Sequence, residues 1–380
     1  MLQLTMVLFA LQHFRSPTVA GAVVFLSVMP GLALSPIAGA LLDRHGRARL
    51  IVVDFCIAAT SIALIATLSL LDVLSVPALL AIVTLTSLTN PLSAAGMRSL
   101  FPLVVPSRLW PRANAIDANG YLVASVFGPA AAGAIYAFVG PEAALYAIAG
   151  TFVAAAVATT GVHDPTERRE NGSLLREAWA GLRYVIANRT LRGLAFGVSA
   201  AGLASGIYLI ALPVVLLDHV GIGPDGVGRL YALYGVGGFF AGLLFGRVST
   251  LDRERRLLAI AYATDGAIVL IVLFVPHLFA IAAAMLLLGA VSGPTNVVMF
   301  TLRQRRTHPE WFGRAFAISM SLNYAGNPIG SVVAGTIIPF SVELALAAAA
   351  AFYLLAGTLC FIGIPAVDEA GHSRDRAGVA

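Results

Sequence analysis

Residues 39–50 read Gly-Ala-Leu-Leu-Asp-Arg-His-Gly-Arg-Ala-Arg-Leu, a compact charged loop between two long apolar stretches. Roughly 25 mostly apolar residues precede it (Thr18 to Leu42) and about 20 follow it (Leu50 to Leu70), each long enough to cross a bilayer as a helix. A soluble core helix of such length keeps a polar face, and neither stretch has one. The placement predicts two membrane-spanning helices joined by a short polar turn.

Composition leads to the same class independently. Apolar residues make up 59% of the 380, charged residues only 11%, and the mean hydropathy is +0.88, which excludes an ordinary soluble domain. The alternating segments of an outer-membrane barrel are absent. Cys56 and Cys360 lie in separate apolar runs and give neither a disulfide framework nor a metal-binding spacing. All 24 basic residues are arginine, scattered over short loops, so a pI near 9.5 does not point to nucleic acid. With no Lys in the chain there is no Walker-type phosphate loop, and no cofactor or metal is expected.

Hydropathy predicts about twelve spans, near 1–13, 18–42, 50–70, 76–97, 112–139, 142–161, 190–217, 226–248, 256–275, 277–302, 312–338 and 342–364. Charge falls in alternate loops: only Arg15 and Arg229 lie on one side, and every other arginine lies on the opposite side. Positive charge marks the cytoplasmic side, which places the 44–49 loop and the C-terminus in the cytoplasm. The halves repeat. Gly39–Arg49 has a degraded counterpart in Gly242, Gly246, Arg247, Asp252, Arg253 and Arg256; a helix carrying Gly128-Pro129 and Gly133 matches one carrying Asn327-Pro328, Gly330 and Gly335.

Between the halves, residues 162–189 begin as a polar loop. Ser173 can then cap a short helix on which Leu175, Trp179, Leu182 and Ile186 share a face, with Arg176, Arg183 and Arg189 elsewhere around it. This predicts an interfacial amphipathic helix on the cytoplasmic leaflet.

The pattern Gly-x-x-x-Asp-Arg-x-Gly-Arg-x-Arg, carried by Gly39, Asp43, Arg44, Gly46, Arg47 and Arg49, resembles the signature loop of the major facilitator superfamily of transporters. The resemblance implies an all-α polytopic membrane protein of the major-facilitator fold, with two six-helix bundles related by a pseudo-twofold axis. The expected organisation is an N-terminal bundle (1–161), a linker (162–189), a C-terminal bundle (190–364) and a cytoplasmic tail (365–380). Met1–His13 would reach only about 20 Å as a helix, short of the roughly 30 Å hydrocarbon core, so the first helix is expected to be truncated relative to the family.

The same resemblance assigns roles. Asp43 ends the second helix, where its carboxylate could accept hydrogen bonds from a helix N-terminus or an arginine, and such a loop latches the cytoplasmic gate in family members. Gly120, Gly128, Pro129 and Gly133 look like a loosened form of the Gly-Pro motif of exporters. Asp54, Asp117 and Asp265 lie inside spans, where a carboxylate is costly and is a candidate for proton or charge relay. Arg98 and Arg112, with Arg47, are the arginines that could pair with Asp54 and Asp117. The fold would line its cavity with Asn90, Asn119, Tyr121, Tyr208, Tyr231, Tyr234, Asn296, Asn323, Tyr324 and Asn327. The absence of a mid-span cation there favours large apolar or amphipathic solutes over anionic ones.

Ala113-Asn114-Ala115 with Asp117, and Gly181-Leu182-Arg183-Tyr184-Val185 before Leu191-Arg192-Gly193, are similar to the twelve-helix exporters of macrolides and siderophores. The resulting expectation is a monomeric plasma-membrane exporter of a small molecule, with protons as coupling ion and the lipid bilayer as its surroundings. Import of a neutral solute, or a truncated non-transporting member, are the competing readings. An enzyme is not expected, because His13, His219 and His277 are isolated near loop ends.

Overall fold

The structure, a computed structural model, describes residues 2–366 except 107–108, 110–119, 121–122, 125–126, 129–130, 163, 165–173, 246–249, 251–252 and 309–311. Among the described residues every regular element is helical. In chain order these are α1 (Leu2–His13), α2 (Pro17–Leu26), α3 (Met29–His45), α4 (Arg47–Leu70), α5 (Val76–Val104), α6 (131–138), α7 (Pro141–Thr160), α8 (Leu174–Ala187), α9 (Arg189–Val214), α10 (Pro224–Phe245), α11 (Glu254–Phe274), α12 (Leu278–Arg305), α13 (Phe312–Ile337) and α14 (Val342–Gly363). Nine helices among the described residues are long and apolar enough to cross a membrane. Helices are what a chain this apolar must form, because hydrocarbon offers nothing to an unpaired N–H or C=O.

The helices start where the sequence supplies caps. Ser16 Oγ accepts from Val19 N–H at 3.3 Å ahead of Pro17, Asn188 Oδ1 accepts from Leu191 N–H at 3.0 Å, and Ser341 Oγ accepts from Leu344 N–H at 3.0 Å. The predicted span 112–139 lies mostly outside the described residues and α5 runs to Val104 rather than ending at 97; elsewhere the boundaries follow the predicted ones within a few residues, with three informative differences. The stretch predicted as one helix over 18–42 breaks at Ser27–Val28 into α2 and α3. Pro30 has no N–H for the Leu26 carbonyl, and Ser27 bridges the break by donating its N–H to Val23 O at 2.9 Å and its hydroxyl to Val24 O at 2.8 Å. Past Pro213, α9 widens into a π-turn over Val215–His219. The third difference is α12, which continues through Arg305 rather than ending at 302.

The chain divides into two compact units: Met1–Leu175 with Leu216–Ala232, and Arg176–Val215 with Leu233–Ala380. In the first, α4 packs against α5 and α7, α3 lies along α5, and α1 lies on α2. Gly31 on α3 sits directly over the Ser87 carbonyl and donates its N–H to Ser87 Oγ at 3.1 Å, an approach that any Cβ would block. In the second unit α9 is the central post, packed by α13 and α14, with α11 against α12 and α14. Here the crossing point is Gly206, whose Cα faces the Asn327 backbone of α13. Without a hydrophobic drive between helices in lipid, such close backbone contact is what makes association favourable.

Gly206→Ala should therefore cost about 1–3 kcal/mol through overpacking. Gly150→Ala, with open space around the new methyl, should leave stability unchanged or slightly raise it. Thermal melting of the detergent-solubilised proteins distinguishes the two, and equal melting would show that the α9–α13 crossing is not tight.

Candidate functional site

The motif loop forms a joint between α3 and α4. Gly46 ends one helix and begins the other with φ 90° and ψ 133°, a backbone conformation that L side chains rarely adopt. Gly46 has no side chain to cap α4, so the N–H groups of its first turn need an acceptor from elsewhere. Asp164, in the segment after α7, provides it: Ala48 N–H donates to Asp164 Oδ2 at 3.0 Å. A carboxylate at a helix N-terminus is favoured by both the orphan donors and the helix dipole. The same oxygen lies 3.3 Å from where a Cβ of Gly46 would sit, a tight contact that adds to the preference for glycine set by φ. Arg44 and Arg49 are exposed and Arg47 is half-buried. Gly39 and Asp43 lie on α3, Asp43 in its last turn; the Asp43 side chain lies outside the described residues.

Two buried carboxylates lie on spanning helices. Asp54, two turns into α4, is 2% exposed. Its described partners are Thr89 and Ser93 on α5, and its Oδ1 has none among the described residues. The Thr89 and Ser93 hydroxyls stand beside the carboxylate and donate to Thr86 O and Asn90 O, each at 3.1 Å. Asp265, midway along α11, is 7% exposed and also has an unpartnered Oδ1 among the described residues. It lies within electrostatic reach of Tyr262 and Tyr353. The Arg98 side chain and residues Arg112 and Asp117 lie outside the described residues.

A third charge is absent from the sequence reading, which placed Arg303 in a loop. Because α12 runs on through Arg305, Arg303 points inward and is fully buried. Its Nε donates to Ser319 Oγ at 3.2 Å, its Nη1 meets Met320 Sδ at 2.8 Å, and Asn323, with its amide oxygen turned inward, accepts from Nη2 at 2.5 Å. The guanidinium also stands 5.8 Å from the centre of the Phe300 ring. Two residues on, Arg305 pairs with the buried Glu254 at 2.8 Å, joining the starts and ends of α11 and α12. The only sequence signal was the run Arg303-Gln304-Arg305-Arg306 straddling a predicted helix end.

The remaining predicted residues divide. Asn327 Nδ2 donates to Ser205 Oγ at 3.3 Å and Tyr208 Oη donates to Met285 Sδ at 3.6 Å, so both bridge helices, as Asn323 does. Asn296, Tyr234 and Tyr324 are exposed and Tyr231 is partly buried. Asn90 borders a cavity inside the first unit. Gly128 is buried in a helical stretch, and a Cβ on Gly133 would lie 2.7 Å from Gly228 Cα at the start of α10. Gly120 has open space around it. Asn119, Tyr121 and Pro129 lie outside the described residues. No three His, Cys, Asp or Glu side chains converge to hold a metal among the described residues.

Residues 12–377 match the family described as transmembrane secretion effector. The chain is 37% identical over 360 residues to the uncharacterized MFS-type transporter y4rN of Sinorhizobium fredii, covering 94% of this chain and 87% of that protein. It is 25% identical over 336 residues to the multidrug efflux pump Tap of Mycolicibacterium fortuitum, covering 86% and 82%. Its fold is similar to that of the nucleoside transporter NupG, with a TM-score of 0.74 at 12% identity over 96% of this chain and 95% of that one. Family match, relatives and fold agree, and they make the chain a multi-pass membrane transporter rather than an enzyme. It belongs to the major facilitator superfamily, in the family of transmembrane secretion effectors.

Proposed function

We propose that this transporter is an exporter of a small amphipathic or hydrophobic molecule, working by alternating access with proton antiport. The observation that carries the reading is the likeness to the multidrug efflux pump Tap along most of both chains. Chemistry adds support. The aromatic and amide side chains Tyr234, Asn296 and Tyr324 are exposed, and such groups bind apolar solutes without a fixed counter-charge. Arg303, fully buried, is engaged by Ser319, Met320 and Asn323 and so is a poor anchor for an anionic substrate.

The two six-helix bundles, 1–161 and 190–364, would rock about the substrate as a monomer in the plasma membrane. The 162–189 linker, the 365–380 tail and the arginine-rich loops would face the cytoplasm, as the charge asymmetry favours. The joint at Gly46 would latch the cytoplasmic side, with Asp43 and the neighbouring arginines making and breaking contacts as the gate closes and opens. Asp265 holds a carboxylate oxygen unpartnered among the described residues, and we assign proton carriage to it: an O–H bond forms on one face of the membrane and breaks on the other.

Everted membrane vesicles supplied with a panel of amphipathic drugs test direction and coupling together. Accumulation that collapses with the proton gradient is expected. Accumulation that ignores the gradient would contradict antiport, and uptake confined to right-side-out vesicles would make the protein an importer. Asp43→Asn is expected to slow transport about tenfold, equivalent to ~1.4 kcal/mol, with little loss of protein from the membrane. Gly46→Ala should slow it comparably, since a Cβ at that φ costs about 1–2 kcal/mol. Wild-type rates in both variants would remove the loop from the gate.

A further inference from the structure

The first unit holds a partly open cavity of about 250 Å³. Its walls come from α1, α2, α4, α5 and α7 and are mostly apolar, with Val23, Ile62, Ile65, Val83 and Phe152 prominent. Among them stands Asp54, 98% buried by its 2% exposure, with Oδ1 unpartnered among the described residues. Ser27, Thr86, Ser87 and Asn90 contribute the other polar groups alongside Gln3. A buried carboxylate oxygen without a donor is costly, and the cost is removed by a ligand that brings a charged N–H.

We infer that this cavity is a binding site for a small lipophilic ammonium ion, with the N–H group on Asp54 Oδ1 and the apolar body against Ile62, Ile65, Val83 and Phe152. Two features select that class. The space exceeds by several-fold the roughly 30 Å³ a single water occupies in the liquid, so it is large for a lone hydronium. The Phe152 ring is a surface of the kind that attracts an alkylammonium by its quadrupole. Thr89 and Ser93 of α5 stand beside the carboxylate, and its Oδ1 has no hydrogen-bond partner among the described residues, which leaves it for the guest. The site lies wholly within the first unit and depends neither on the direction of transport nor on its coupling to protons.

The test is equilibrium binding to the full-length protein in nanodiscs with no gradient, so that its result is separable from the transport assay. The probes are 2-phenylethylammonium and its neutral counterpart 2-phenylethanol, which differ in charge far more than in shape. Saturable binding of the ammonium is expected, at least about tenfold tighter than the alcohol. Asp54→Asn should abolish that preference, and Val83→Phe, which fills the cavity without touching the charge, should weaken both probes. The comparison of two probes on the unmodified protein stands even if a variant fails to fold. Equal affinity for the alcohol, no saturable binding of the ammonium, or a preference that survives in folded Asp54→Asn would each overturn the assignment.

Discussion

A bilayer gives backbone amides no partner, and that constraint shapes every other feature of this chain. Each spanning segment closes its own hydrogen bonds as a helix, and each departure from regular helix comes with a local remedy. The break at Ser27–Val28 carries a serine whose N–H and hydroxyl both reach back to carbonyls of the preceding turn. The N-terminus of α4, left uncapped by Gly46, is met by Asp164 from a distant part of the same unit. Helix association then rests on close backbone approach, as where Gly31 meets Ser87 and Gly206 meets Asn327.

The Gly46 joint is where the charged motif meets the spanning helices. Its positive φ favours glycine there, and an added Cβ would come within 3.3 Å of the Asp164 carboxylate. The joint holds α3 and α4 in a fixed relation while leaving Arg44 and Arg49 exposed to make contacts elsewhere. Buried polar groups in the second unit play a complementary part. Arg303 ties α12 to α13 through Ser319, Met320 and Asn323, and the Glu254–Arg305 pair ties α11 to α12. Removing one partner from such a buried cluster is far more damaging than the cluster's net contribution to stability would suggest.

Much of this was legible in the sequence, because hydropathy and loop charge are local signals. The spans, the motif loop and the family all follow from runs of apolar residues and from one eleven-residue charge pattern. What stayed hidden depends on which way a side chain points. Pro30 signals the break in the second span, but the surrounding run stays apolar and reads as continuous. Arg303 sits among loop arginines in sequence and becomes a buried core group only because α12 is longer by a turn than hydropathy indicates. Asp164 is one acid in a polar linker, and nothing local says that it caps a helix more than a hundred residues earlier. Asn323 and Asn327 read as cavity residues, and their contacts with Arg303 and Ser205 depend on neighbouring helices that the local sequence does not identify.

Alternating access demands that the two units move relative to each other during the cycle. Spin labels on cysteines introduced at the exposed positions Arg44 and His308, one in each unit, measure this most directly by pulsed electron resonance in nanodiscs. The natural thiols Cys56 and Cys360 would first be replaced by serine and alanine. Two distance populations are expected, their ratio shifting when pH or an amphipathic solute is changed. A single distance that holds under every condition would contradict a rocking mechanism.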